Sequence, residues 1–150
     1  MRNFLICFFF VGTAASASPL QHIHVFPETD DEDTRQCDLS SIAAVAATES
    51  VFRQNRVPIR SERDANIFAY VNLTVIKTSV TCVVSSQFQI FVYTNASLPG
   101  NTKSILVRGE LCEKGGTLTG PASSLQARVN DQYRSFTERC ISEIERKLNR

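Results

Sequence analysis

NIFAYVNLTVIKTSVTCVVSSQFQIFVY, residues 66–93, holds two stretches of period-2 side-chain alternation separated by a polar break, and its reading decides the fold. From Asn66 to Thr78, Ile67, Ala69, Val71, Leu73 and Val75 fall on one face, with Phe68, Tyr70 and Ile76 on the other. Successive strand side chains point to opposite faces, so this pattern predicts a strand of which neither face is fully polar. From Thr81 to Tyr93, Cys82, Val84, Phe88, Ile90 and Val92 share a face, while Ser85, Gln87 and Gln89 look towards solvent. Thr94 to Asn101, with Asn95, Pro99 and Gly100, reads as a loop. A third strand is expected from Ser104 to Glu113, with Gly115-Gly116 ending it or turning it into a short fourth strand through Leu118. Connections this short favour antiparallel pairing.

Helical patterns flank the strands. Asp38 suits an N-cap, and Leu39 to Asn55 reads as a helix with Leu39, Ile42, Ala43, Val45, Ala46 and Phe52 on its apolar side. Pro58 prevents its continuation. Beyond Ser123 or Ser124, taken as the cap, Leu125, Val129, Tyr133, Phe136, Cys140, Ile144 and Leu148 recur at intervals of three and four, the clearest helical stripe in the chain. The sequence therefore predicts an α+β domain: an antiparallel three- to four-stranded meander with an N-terminal and a C-terminal helix packed on one face.

Ahead of this body, Arg2 precedes an apolar run from Phe4 to Val11, and Ala15 and Ala17 supply the small-residue pattern of a cleavage site. Residues 1–17 read as a secretory signal peptide, the run being short of the roughly 20 residues a membrane span requires. Cys7 follows Ile6 and sits inside the apolar region, which argues against a lipidation signal. Removing 17 of the 150 residues leaves 133, a size suited to one domain. Residues 18–36 contain Pro19, Pro27 and an acidic run, and are expected as a mobile acidic leader; residues 37–150 form the domain. The four remaining cysteines, Cys37, Cys82, Cys112 and Cys140, read as two structural disulfides in an exported chain, since no C-x-x-C spacing suggests redox or zinc chemistry. Placing a reversing fourth strand before the last helix lets Cys140 reach the sheet, and favours Cys37–Cys82 with Cys112–Cys140 among three connectivities.

Charge and motifs narrow the function classes. Without Arg2 the acidic and basic residues balance at 15 each, which argues against nucleic-acid binding because phosphate neutralisation needs a basic surplus. His22 and His24 are the only histidines and stand in the expected leader, so neither a metal site nor imidazole-assisted nucleophilic catalysis is anticipated. The acids from Asp30 to Asp33 lack the glycine and spacing of a calcium loop and read as a solvated cluster. Glu110 and Glu113 are expected on opposite faces of one strand, where they do not flank a single glycosidic bond. Arg53, Arg56, Arg60 and Arg63 form a basic cluster at a helix end and loop, and Phe88 to Tyr93 is an apolar stretch expected in the central strand. Asn72 and Asn95 match the glycosylation acceptor pattern, with only Asn95 expected in a loop.

The order of Cys37, helix, strand, Cys82 at the head of a strand, and terminal amphipathic helix resembles small uncharacterised bacterial exported proteins with a signal peptide and a helix–three-strand–helix body. That resemblance covers residues 37–148, implies a periplasmic address, and transfers no functional residue. The expectation is a periplasmic or secreted, non-enzymatic protein without cofactor, metal or membrane span. It would act on a protein partner as an envelope accessory or inhibitor-like module. The alternative is a carrier holding a small ligand or lipid between sheet and helices, with Phe68, Tyr70, Phe91 and Tyr93 lining the pocket.

Overall fold

The computed structural model describes residues 20–97 and 104–150, so the signal-peptide expectation and part of the expected loop lie outside the described residues. In chain order the elements are β1 (Ile23–Pro27), α1 (Glu32–Gln36), α2 (Ser41–Gln54), β2 (Ile67–Lys77), β3 (Cys82–Ser97), β4 (Ser104–Gly120) and α3 (Ala122–Leu148). The strands form one sheet in the order β1-β2-β3-β4. β2, β3 and β4 make the expected antiparallel meander, and β1 adds to its edge in parallel, so the sheet is mixed.

The expected mobile leader is therefore corrected: residues 20–36 belong to the fold. Ile23 is fully buried, as is Leu20 to within 1%, and Val25 faces the same core. The period-2 pattern of Ile23-His24-Val25-Phe26 is too short to stand out beside Pro27 and the acids, and a parallel pair has no hairpin signal. Of the acids, Asp31 and Glu32 are exposed as a solvated cluster would be, yet the run also makes fixed contacts. Asp31 caps α1, accepting from the Thr34 N–H at 2.8 Å and hydroxyl at 2.6 Å, which hold its carboxyl below the ordinary range. Asp30 accepts from the N–H of Ser41 at the start of α2, and Asp33 from the N–H of Lys77. The run thus fastens the crossover between two parallel strands.

The N-cap of α2 is Ser40 rather than Asp38, which takes a positive φ of 53° just past α1. That shifts the buried face to Ser41, Ala44, Ala47, Thr48, Val51 and Phe52, and leaves Ile42 70% exposed. α3 starts one residue after Pro121 and buries Leu125, Val129, Tyr133, Phe136, Cys140 and Ile144 as its stripe predicts, while Leu148 is exposed. α2 packs on α3, β1 and β2, and α3 packs on β4 and β3, so both long helices cover one face of the sheet. Between sheet and helices, Val71, Val84, Phe88, Ile90, Phe52 and Tyr133 fill the core. Tyr133 is fully buried, and its hydroxyl donates to the carbonyls of Asn72 and Gln87, a paired couple in β2 and β3. Burial pushes its phenol pKa upward.

No separate fourth strand follows Gly115-Gly116; β4 runs through them to Gly120. The reach argument for Cys140 is met by this length instead. From Cys112 to Gly120 the strand advances about 26 Å at ~3.3 Å per residue, and α3 returns about 27 Å from Ala122 to Cys140 at 1.5 Å per residue. The two sulfurs consequently meet, and the disulfides are Cys112–Cys140 and Cys37–Cys82, with Cα separations of 5.6 and 6.2 Å. Gly116 permits the close approach of α3: a Cβ there would collide with the Gln132 amide and lie 3.4 Å from the Phe136 ring.

Candidate functional site: an aromatic box on the open sheet face

Alternation places the even-numbered residues of β1 and β2 and the odd-numbered residues of β3 opposite the helices. His24 and Phe26 from β1, Phe68 and Tyr70 from β2, and Phe91 and Tyr93 from β3 therefore lie side by side on the helix-free face. Their rings touch in two orientations. Phe68 and Phe91 stack with centroids 5.7 Å apart and 18° between planes, and His24 stacks on Phe26 at 5.9 Å and 10°. The two stacks stand nearly perpendicular, His24 to Phe68 at 82° and Phe26 to Phe91 at 88°. Tyr93 stands at 84° to Phe91, making a further wall. The groove between them has a volume of about 350 Å³ and is lined by these five rings and Glu62, the acid that opens a short 3-10 turn (Glu62–Asp64).

Four of the rings, Phe68, Tyr70, Phe91 and Tyr93, are those expected to line a pocket between sheet and helices; the structure puts them on the other face. His24, Phe26 and Glu62 escape a sequence reading because they join only through the parallel β1 pairing and the turn before β2. His24 is accordingly not in a mobile tail: its Nδ1 lies 3.1 Å from the Arg60 carbonyl. Among the described residues no group of three or more His, Cys, Asp or Glu side chains is arranged to hold a metal ion.

A polar lane continues the same face. The pairing slips at Leu111, where Ile90 faces Cys112 but Phe91 faces Glu110. Such a bulge inserts one residue and reverses the alternation beyond it. Glu110 and Glu113 consequently share the open face, a correction to the expected opposite placement. Glu113 accepts from Gln89 at 2.9 Å and Gln87 at 2.7 Å, which hold its carboxyl below the ordinary range. Arg108 completes the lane, donating to Gln89 and laying its guanidinium 3.8 Å over the Phe91 ring.

The remaining candidates are dispersed. Arg53 pairs with Glu49 at 2.7 Å, and Arg56, Arg60 and Arg63 lie exposed along the turns that follow α2. Asp131 is exposed and paired with Arg134 at 2.6 Å, and Glu110 is exposed. Asn95 is exposed but lies in β3 opposite Leu106 rather than in a loop, and Asn72 is half-buried in β2. β3 is central, as expected for Phe88 to Tyr93, so β4 supplies the long edge. Among the described residues, its first residues and Tyr93–Ser97 pair only with each other, and Ile105 and Leu106 on this ribbon are exposed. A broader depression of about 540 Å³ runs along α3 and β4, where Lys114 and Lys147 flank Glu143 at 2.7 and 2.9 Å. Among the described residues no helix is long and apolar enough to cross a membrane.

No family model and no curated protein matches the chain. Among solved structures, it is similar to a chain of a PelC dodecamer, a point variant of the protein from Paraburkholderia phytofirmans, at 15% identity and a TM-score of 0.41, covering 82% of this chain and 85% of that one.

Proposed function

We propose that this is an exported, non-enzymatic protein of the periplasm or extracellular space that acts by protein–protein contact, with the helix-free sheet face as its contact surface. The observation that carries the reading is the aromatic cluster on that face. Tyr93 is 50% exposed and caps one contiguous ring cluster, in which Phe68, Phe26, Tyr70 and His24 are half-buried and Phe91 is buried beneath them at 2% exposure. Aromatic side chains and arginine dominate the energetics of protein contacts, the aromatics because they contribute large area at little conformational cost. Here both sit on a rigid sheet, backed by a filled core. The two disulfides support export, since paired cysteines persist in oxidising compartments. An envelope accessory or an inhibitor-like module fits this surface.

The test is capture of partners from the native envelope by the disulfide-intact protein, followed by binding measurements with single variants. Tyr93→Ala should weaken binding by roughly thirtyfold, the loss of about 2 kcal/mol typical of a hot spot. Arg134→Ala, on the solvent side of α3, should leave binding unchanged. A strictly monomeric protein that captures nothing, or equal loss in both variants, would defeat the proposal. The groove of about 350 Å³ favours a second reading, a small-ligand carrier, with the ligand outside the sheet rather than beneath the helices. Native mass spectrometry of the purified protein separates the two: a retained small molecule supports the carrier, a bare mass the contact module.

A further inference from the structure

We infer that the aromatic box of His24, Phe26, Phe68, Phe91 and Tyr93, with Glu62 at its rim, receives an arginine side chain of the protein partner. The inference deepens the contact-face reading and rests on it for the identity of the donor. Three observations carry it. The two stacked pairs, Phe68 on Phe91 and His24 on Phe26, stand at right angles and wall the groove with Tyr93, and the electron-rich face of such a ring attracts a cation placed against it. Glu62 is the sole charged group lining the groove among the described residues, so the site is complementary to positive charge. The chain also displays the chemistry itself: Arg108 rests its guanidinium 3.8 Å from the centroid of Phe91, which is thereby covered, leaving half-buried Phe26 and Phe68 and exposed Tyr93 as the rings a second guanidinium would meet.

The last observation selects guanidinium over ammonium. Guanidinium is planar and weakly hydrated, so it lies flat on a ring at little desolvation cost, whereas the compact lysine ammonium keeps its water. An arginine entering from a partner would stack within the box while its N–H fork reaches the Glu62 carboxylate, a charge-assisted contact. A neutral aromatic or aliphatic side chain would fill the same volume but leave Glu62 without a counter-charge.

The experiment titrates the 15N-labelled, disulfide-intact protein with Nα-acetyl-arginine methylamide, and with the citrulline analogue as the neutral isostere. Arginine should shift the amide signals of Phe68, Phe91 and Tyr93, with citrulline binding about three- to thirtyfold more weakly, the range of one cation–π contact plus a partly exposed charge pair. Glu62→Gln, an exposed substitution outside the core, should remove most of that preference and leave citrulline binding as it was. Equal binding of the two probes, signal changes confined to other surfaces, or tetramethylammonium binding where arginine does not, would each overturn the inference. Its failure is distinguishable from that of the contact reading. A partner captured through Tyr93 with no arginine preference leaves the contact face standing, and arginine binding without any captured partner leaves the box standing.

Discussion

Removing the bridge between β4 and α3 tests how the fold closes. The double substitution Cys112→Ala with Cys140→Ala leaves no lone thiol and frees a loop of sequence separation 28 in the unfolded chain. Loop-closure entropy for that length corresponds to about 3.6 kcal/mol at room temperature. Both positions are buried, at 3% and 0% exposure, so the lost sulfurs also leave a small void worth about 1 kcal/mol. A loss of about 4–5 kcal/mol follows, a large share of the ~5–15 kcal/mol stability of a typical domain. Urea unfolding followed by far-ultraviolet circular dichroism reads it. At a slope of about 1.5 kcal/mol per molar, the midpoint should fall by roughly 3 M, with the slope itself rising as the unfolded chain expands. The paired control, Cys37→Ala with Cys82→Ala, closes a separation of 45 and should cost a comparable amount, its entropic part being about 4.0 kcal/mol. A loss below about 1 kcal/mol with an unchanged slope would refute the reasoning. It would mean that the equal lengths of the β4 extension and the α3 return already hold the helix in place.

Two further outcomes are accessible by the same assay. Ile23→Ala should cost about 2–4 kcal/mol, because Ile23 is fully buried in β1, whereas a mobile leader would register no change. Lowering the pH should destabilise the protein through Glu143, whose carboxyl is brought down to about 2 by Lys114 and then Lys147. A depressed folded-state pKa contributes stability that is complete above the unfolded-state value near 4.5 and is lost as pH falls towards 2. The urea midpoint should thus decline across that window, and Glu143→Gln should flatten the decline; an identical pH profile in the variant would contradict the assignment.

Alternation in residues 66–93 and the stripe from Leu125 to Ile144 already determined the meander and the final helix, because these are local periodicities. Paired cysteines were equally legible. Three features were decided only in three dimensions. β1 gains its place by parallel pairing with β2, a contact between segments far apart in sequence that no turn residue announces. The slip at Leu111 brings Glu110 onto the same face as Glu113, and a bulge leaves no periodic trace when both faces of the strand carry polar residues. The side on which the helices settle moves Phe68, Tyr70, Phe91 and Tyr93 from expected pocket lining beneath the helices to the opposite sheet face, where Tyr93 is exposed, Phe68 and Tyr70 are half-buried and Phe91 is buried. Each strand face carries enough apolar residues to serve as a core, so the sequence alone left that choice open. The longer apolar set, from Ile67 to Val75 and Cys82 to Ile90, buries more area against α2 and α3, and the aromatic set is thereby left outside.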